Sequence, residues 1–201
     1  MATLRQTFSD IASAIRAKGV SGTMKPIEMA SKIGEIQTGS GSDYGYLTFT
    51  AEQATTLKLK KEYLIAQHKL LKSTDGVTWT KWENPATNGI SLNVGESVYL
   101  KADEDSLNKT AIDNSSYNYF SSTGRIVCSG DIRSIMNPII PADYNNFAFK
   151  LFYNCTSLTT APELPATTLV YHCYDCMFSG CTSLIQAPEL PATTLADSCY
   201  S

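Results

Sequence analysis

The residues best suited to chemistry are thiols and an imidazole that lie close together near the carboxyl end of the sequence. Cys173-x-x-Cys176, with Cys181 and His172 nearby, has the residue types of a zinc site. Such a site needs four ligands that converge tetrahedrally. The alternative is that these thiols are small buried side chains of a repeat, since free cysteine is among the most buried residue types. The repeat described below favours buried free thiols, and we therefore expect no metal and no cofactor.

Other candidate ligands and catalytic groups lack the spacing that known chemistry requires. Asp103-Glu-Asp105-x-x-Asn108 offers oxygen atoms to calcium, but it lacks the glycine and the distal glutamate of a calcium-binding loop. A solvated acidic loop is the interpretation we favour. His68 and His172 have no serine, cysteine or aspartate partner in a recognised order. With no glycine-rich phosphate loop in the sequence either, these patterns argue against an enzyme.

Most of these thiols belong to an internal repeat. Cys155-Thr-Ser-Leu158 recurs as Cys181-Thr-Ser-Leu184, and the segment 161–169 recurs unchanged as 187–195, so the period is 181 − 155 = 26. This period lies within the range of about 20–29 residues that is typical of leucine-rich repeats. Stacked copies would form a continuous core by placing equal residues over one another. The predicted pairs are Leu158 over Leu184, Leu164 over Leu190, Leu169 over Leu195 and Phe152 over Phe178.

The copies on either side of this pair are imperfect. Pro138-Ile-Ile-Pro141-Ala142 resembles Pro162-Glu-Leu-Pro165-Ala166, but the spacing of the two is 162 − 138 = 24, which is two short of the period. Ile132 or Ile135 takes the place of the leucine of Cys-Thr-Ser-Leu in that earlier copy, and the spacing does not choose between them. An atypical first copy is what a solenoid end requires. The last copy stops in mid-repeat, from which we expect a longer protein.

The repeat resembles a known family. The pattern F-x-x-C-T-S-L-x-x-A-P-E-L-P-A-T-T-L, which begins at Phe152, is similar to the BspA-like leucine-rich repeats of bacterial surface proteins and of phages of gut bacteria. The resemblance covers about the last third of the chain. It implies a stacked solenoid over residues 131–201 and a role in adhesion or recognition. It names no ligand, because function depends on sites and not on folds.

The N-terminal segment has apolar residues at helical spacing. It predicts an α-helical hairpin anchor over residues 1–38, followed by a Gly/Ser linker over 39–43. So short a unit cannot bury enough surface to be stable alone, and we expect it to dock on other proteins or on copies of itself. It resembles a short N-terminal module of phage tail and virion proteins, which implies a homo-oligomer, trimeric if it follows fibres. The predicted assembly interface consists of Leu4, Phe8, Ile11, Ile15, Met29, Ile33 and Ile36.

Residues 44–130 have the alternation of strands instead. Short alternating segments, such as 47–50 and 97–101, are separated by turn signals such as Thr74-Asp75-Gly76. Several such strands predict an antiparallel β-sandwich-like domain. The layout resembles the β-domain often found just before BspA-like repeats, which implies that this domain holds the solenoid away from the anchor.

Two tryptophans in this region are three residues apart, so a regular strand would point them to opposite faces. Trp79 shares a face with Val77 and is predicted to lie in the core. Trp82 falls on the more polar face with Thr78 and Thr80. An exposed Trp82 could stack on a sugar, but large aromatic side chains are more often used for burial, and burial is the interpretation with greater weight.

The composition narrows the function classes. The net charge is −3, without the basic excess of a general nucleic-acid binder. Hydrophobic residues make up 43% of the chain and charged residues 17%, which is compatible with a folded core. No apolar run has membrane-spanning length, so we expect no membrane insertion. The first residues lack the continuous apolar stretch of a secretory signal, which predicts synthesis in a cytoplasm and release by lysis.

Together these patterns predict a structural and adhesive subunit of a phage virion fibre, with the anchor docked to other virion proteins and the repeats displayed to a host cell-surface glycan or protein. The alternative is a bacterial cell-surface BspA-like adhesin, and a fibre-borne glycan-degrading enzyme is a weaker third choice. Recognition is expected where the two copies differ and exposed positions can vary without disturbing the core. The predicted recognition residues are Thr159, Thr160, Val170, Tyr171, Ile185, Gln186 and Asp197.

Overall fold

A computed structural model of the chain describes residues 45–61, 70–103, 118–135 and 148–200. The chain divides into two compact units, Met1–Asp43 and Tyr44–Ser201, and all of the described residues belong to the second. The predicted hairpin and linker lie outside the described residues, and so does the assembly interface. His68, the acidic segment 104–108 and the degenerate copy at 138–142 lie outside them too.

The described residues form two sheets. In chain order the strands are β1 (Leu47–Ala51), β2 (Thr55–Lys61), β3 (Leu70–Ser73), β4 (Thr80–Lys81), β5 (Ile90–Leu92), β6 (Ser97–Ala102), β7 (Asn118–Ser122), β8 (Ile126–Ser129) and β9 (Leu158–Thr160). One sheet has the order β4-β3-β6-β1-β8-β9, and the other has the order β5-β2-β7. The strands within these sheets pair antiparallel, except that β8 and β9 run parallel.

The core lies between the two sheets, and β1 shows how the sequence builds it. Leu47, Phe49 and Ala51 are at most 2% exposed, whereas the threonines between them are half-buried. This two-residue alternation turns one face of the strand inward. Across the core, the ring of Phe120 in β7 lies with its centroid 4.8 Å from that of Phe49. The two sheets therefore face each other over a shared apolar layer.

The assignment of side chains to the inward and outward faces of the strand predicted over 77–82 is wrong. Trp82 is only 2% exposed, and its indole Nε1 donates a hydrogen bond to the carbonyl of Asn88 at 2.8 Å. Trp79 is half-buried against Tyr46, with ring centroids 4.7 Å apart. Since Trp82 is buried, it cannot stack on a sugar at the surface.

A turn held by Asp75 explains why the predicted faces of Trp79 and Trp82 are wrong. Its carboxylate accepts hydrogen bonds from the backbone N–H groups of Val77 and Thr78, at 2.8 and 2.7 Å. These bonds hold the pKa of Asp75 well below its ordinary value. Because the turn occupies residues 74–78, the regular strand is only the two residues of β4. An alternation counted from Val77 therefore starts in the turn, where it has no meaning.

The larger sheet continues into the repeats through β8 and β9. Ile126 of β8 pairs with Leu158 of β9, and its N–H donates to the carbonyl of Ser157 at 3.0 Å. Ile126 is thus the residue that precedes Leu158 in the stack. Ile132 and Ile135, between which the spacing could not choose, are both buried in a short 3-10 helix (Ile132–Ile135).

Residues 148–200 coil into two stacked turns, which we call rung 1 (residues 148–173) and rung 2 (residues 174–199). Backbone N–H groups of rung 1 donate to carbonyls of rung 2, from Lys150 to Asp175, from Phe152 to Met177 and from Asn154 to Ser179, at 2.8–3.0 Å. The two rungs also share an unusual backbone. Asn154 and Gly180 occupy equivalent places, and both have positive φ, which asparagine and glycine tolerate best.

One column of aromatic rings runs from the β-domain into both rungs. The centroids of Phe120 and Phe152 are 5.5 Å apart, and those of Phe152 and Phe178 are also 5.5 Å apart, with an angle of 13° between the planes. The predicted stacking of Phe152 on Phe178 is confirmed. Because Phe49 begins this column at the first strand, the β-domain and the rungs share one core.

The predicted fold class, which joined an α-helical hairpin to a β-sandwich-like domain and a solenoid, is wrong for the part of the chain that the structure describes. That part consists of strands, turns and one short 3-10 helix, without an α-helix. The helical spacing that suggested the hairpin falls within residues 1–38. Apolar periodicity is a weak guide in so short a segment, because tertiary contacts decide whether a marginal helix forms.

Candidate recognition surface

The predicted recognition residues separate into buried and exposed positions. Thr159 is 1% exposed, and its hydroxyl lies 3.0 Å from the carboxylate of Glu52 and 3.1 Å from the carbonyl of Ile126, two acceptors that share its one proton. A side chain so enclosed cannot touch a ligand at the surface. Thr159 is therefore a structural residue that ties β9 to the β-domain, although its copy in rung 2 is Ile185, which is 81% exposed.

The remaining predicted positions lie at or near the surface. Thr160, Gln186 and Asp197 are exposed, Tyr171 is 48% exposed and Val170 is half-buried. Tyr171 and Asp197 are equivalent positions of the two rungs. They lie close together, because the N–H of His172 donates to the carbonyl of Asp197 at 3.2 Å.

A strip of aromatic and cationic side chains lies along rung 1, and we call it the aromatic strip. It consists of Phe149, Lys150, Tyr153, Tyr171 and His172. The ammonium of Lys150 lies 5.1 Å from the ring centroid of Phe149 and 4.9 Å from that of Tyr153. The imidazole of His172 lies edge-on to two rings, with its centroid 4.0 Å from Tyr171 and 6.2 Å from Phe149. Sequence reasoning singled out Tyr171 and His172 but missed the other three.

His172 has an acidic partner that the sequence pattern did not suggest. Its Nδ1 hydrogen-bonds Oδ2 of Asp175, three residues further on. A carboxylate accepts hydrogen bonds, so Nδ1 carries the proton and Nε2 is the acceptor in the neutral ring. Within the described residues no serine or cysteine side chain hydrogen-bonds this histidine. A histidine and an aspartate without a nucleophile position an imidazole and do not make a catalytic triad.

The six cysteines are free thiols. The side chains of Cys128 in β8, Cys155 in rung 1 and Cys181 in rung 2 belong to the shared core, and each lies near enough to the next for their charges to interact. Burial raises the pKa of Cys128 and of Cys155, and it raises the pKa of Cys181 to about 12. Cys128 precedes Cys155 by one position more than the period, a signal that sequence analysis could have used.

Cys176 lies outside the repeat pattern, because its equivalent position in rung 1 holds Lys150. It is partly exposed, and a hydrogen bond to Asp175 raises its pKa, with burial as a smaller cause. A raised pKa disfavours the thiolate that zinc binding and nucleophilic attack require. Across the described residues, no group of three or more histidine, cysteine or acidic side chains could hold a metal ion.

Comparisons with known proteins give this chain no relative. No family model, no curated protein and no solved structure matches it. The resemblances to BspA-like repeats and to phage modules therefore rest on the quoted residues alone. In the described ranges no helix is long and apolar enough to cross a membrane.

Proposed function

We propose that this chain is a structural and adhesive subunit of a phage virion fibre, whose rungs are displayed to the surface of a host cell. One observation carries the proposal. The positions that the two rungs share include the core ladders, such as Phe152 and Cys155, which are at most 2% exposed in rung 1. The positions at which they differ include exposed side chains such as Tyr171 at 48% and Ile185 at 81%. A constant core with a variable face suits recognition of a changeable surface.

The hydrogen bonds between the β-domain and rung 1 also support the proposal, because they hold the rungs rigidly on the β-domain. The N–H of Phe120 donates to the carbonyl of Leu151 at 2.8 Å, and the hydroxyls of Ser122 and Ser157 hydrogen-bond each other at 2.7 Å. Together with the pairing of β8 and β9, these bonds fix the orientation of rung 1 on the sheet. A fibre needs such stiffness, because a flexible mount would lose entropy whenever the tip bound.

Attachment to the virion is assigned in this proposal to residues 1–43, through the apolar residues from Leu4 to Ile36. The partners would be other virion proteins and further copies of the chain. Ile15→Asp should then prevent incorporation into particles while leaving the β-domain folded, because it places a charge in the interface. Incorporation can be followed by immunogold electron microscopy of purified virions. Normal incorporation of this variant would remove residues 1–43 from the proposed interface.

Adsorption of the full chain to cells tests recognition. Removal of residues 131–201 is a poor test, because it would uncover Phe120 and the edge of β8. Surface substitutions avoid this problem. Tyr171→Glu with Ile185→Glu changes two exposed rung side chains, 48% and 81% exposed, and Val77→Glu with Val94→Glu is the matched β-domain control at 81% and 69%.

We expect fluorescently labelled full-length chain to adsorb to at least one isolate in a panel of gut bacteria. The rung variant should lose about tenfold in affinity, as for one strong interface contact, and the β-domain control should bind like the native chain. Adsorption to no isolate, or equal loss in both variants, would contradict the proposed function.

A further inference from the structure

The aromatic strip does not follow the repeat, which separates it from the core ladders. In rung 2 the positions equivalent to its five members hold Asp175, Cys176, Ser179, Asp197 and Ser198. The ladders keep their residues in both rungs, as with Phe152 and Phe178, whose rings stack 5.5 Å apart, or Cys173 and Cys199. Stacking of the rungs therefore does not require aromatic rings at the strip positions. Their presence in rung 1 calls for a different explanation.

From this geometry we infer that the aromatic strip is a carbohydrate-binding site that takes one or two pyranose rings. The inference rests on the proposed function, whose recognition surface it makes specific. Tyr171 is 48% exposed, and Phe149 and Tyr153 are half-buried, so their rings are held in place and still accessible. A ring with an apolar face and a polar tip suits a sugar, which presents C–H groups on one face and hydroxyls at its edge.

The polar groups of the strip would fix the orientation of a bound sugar, which stacking on a ring alone does not. Asp175 fixes the tautomer of His172, so Nε2 can accept a hydrogen bond from a sugar hydroxyl. This nitrogen has no partner within the described part of the chain. Lys150 and the hydroxyls of Tyr153 and Tyr171 add donors. A few fixed polar groups beside aromatic planes are the usual composition of a small-molecule site.

The charges near the strip favour a sugar over a nucleic acid. Single-stranded nucleic acids also stack on aromatic rings, but they need a positively charged groove for their phosphates. The strip has one lysine, and it is bordered by the carboxylates of Asp175 and Asp197. Repulsion between these carboxylates and phosphate would offset the attraction of Lys150.

Saturation-transfer difference NMR on the full-length chain tests the inference directly. The probes are methyl α-mannopyranoside, methyl β-galactopyranoside, N-acetylglucosamine and N-acetylneuraminic acid. Irradiation of aromatic protons should transfer magnetisation to the C–H protons of at least one sugar. Tyr171→Ala should weaken that binding about threefold to tenfold, the expected effect of one lost aromatic contact. Tyr171→Phe should stay within about twofold, because it keeps the stacking face.

Val94→Ala is the control, since Val94 is 69% exposed on the β-domain, and it should bind sugar like the native chain. Lys150→Gln serves as a second strip variant in case Tyr171→Ala melts at a lower temperature than the native chain. No transfer to any of the four sugars, or equal transfer in the native chain and both strip variants, would overturn the inference.

A separate assay distinguishes this inference from the proposed function. Periodate oxidation of the cells destroys surface sugars and should abolish adsorption of the full-length chain. Adsorption that survives both periodate and Tyr171→Ala would leave an adhesive subunit whose ligand is not a sugar at the strip. The chain could instead bind sugar at the strip but adsorb to no cell and enter no virion. That result would support the carbohydrate-binding site and contradict the fibre function.

Discussion

Rung 1 and rung 2 have nearly the same ladder sequence and very different burial. Leu164 and Leu169 of rung 1 are 3% and 4% exposed, whereas their copies in rung 2, Leu190 and Leu195, are 50% and 62% exposed. The difference comes from neighbours and not from the residues. Rung 1 lies between the β-domain and rung 2, and it is therefore covered on both sides.

Equivalent residues of the two rungs therefore contribute different amounts to the free energy of unfolding. The hydrophobic free energy depends on the apolar area removed from water, which for the same leucine is about twofold larger in rung 1 than in rung 2. The β-domain thus acts as the first layer of the stack, with Ile126 below Leu158 and Phe120 below Phe152. Substitutions at equivalent positions measure this directly.

The largest difference is expected in the aromatic column. Phe152→Ala removes a fully buried ring between Phe120 and Phe178, and it should lower the free energy of unfolding by about 3–5 kcal/mol. Phe178→Ala should cost less than about 3 kcal/mol, because that ring is only partly buried and its cavity opens to solvent. Urea unfolding followed by tryptophan fluorescence gives both values. Equal losses would mean that the rungs are equally supported.

A smaller difference is expected for the leucines. Leu169→Ala should lower the free energy of unfolding by about 2–5 kcal/mol. Leu195→Ala, its equivalent in rung 2, should change it by no more than about 1 kcal/mol, because its side chain is already 62% exposed. The same urea titration measures the pair. A large loss for Leu195→Ala would show that rung 2 is covered in solution by something outside the chain.

The aligned pair Thr159 and Ile185 should give a still smaller contrast. Thr159→Val removes the buried hydroxyl that bonds Glu52 and Ile126, and it should cost about 1 kcal/mol. Ile185→Thr, the reverse exchange at an exposed position, should stay within about 0.5 kcal/mol. Thermal unfolding of the two variants beside the native chain is sufficient to compare them. A neutral Thr159→Val would show that β9 does not depend on this bond.

The same residue pairs also indicate how much of the fold could be predicted from the sequence alone. The repeat period predicted which residues stack, because the ladder is written twice in the sequence. It could not predict that Ile126 precedes Leu158 in the ladder, since Ile126 belongs to a strand with its own two-residue alternation. The faces of Trp79 and Trp82 were assigned wrongly for a similar reason, as the Asp75 turn shifts the point from which alternation must be counted. The burial of Trp82, which was the favoured interpretation, is confirmed. Of the aromatic strip, sequence analysis selected Tyr171 because its position differs between the copies and His172 because it lies beside possible zinc ligands. The other three members are brought beside them only by the fold.

The last expected effect is a loss of stability at alkaline pH. Burial raises the pKa of Cys173 to about 11 and that of Cys181 to about 12, from an ordinary value of 9.0. In the unfolded chain these thiols ionise first as the pH rises. Their contribution to stability is therefore complete below about pH 9 and is lost between about pH 9 and 12.

Urea midpoints measured from pH 8 to pH 11 check this expectation. Cys181→Ala should show a shallower decline than the native chain, and Ser179→Ala, an exposed neighbour in rung 2, should decline like the native chain. Parallel curves for all three proteins would mean that the buried thiol does not contribute to the pH dependence.

Residue-resolved hydrogen exchange of the full-length chain tests most directly whether rung 1 belongs to the core of the β-domain. The informative amides are those of Phe120 and Ile126, which bond to rung 1, and that of Glu163 in rung 1, which donates to the carbonyl of Gly130 in the β-domain at 2.9 Å. We expect all three to exchange with the same free energy of opening, and the amides of Ile185 and Cys199 in rung 2 to exchange faster. If the amide of Glu163 instead exchanges as fast as those of rung 2 while the amides of β1 and β6 remain protected, the rungs form a separate module and rung 1 does not belong to the core of the β-domain.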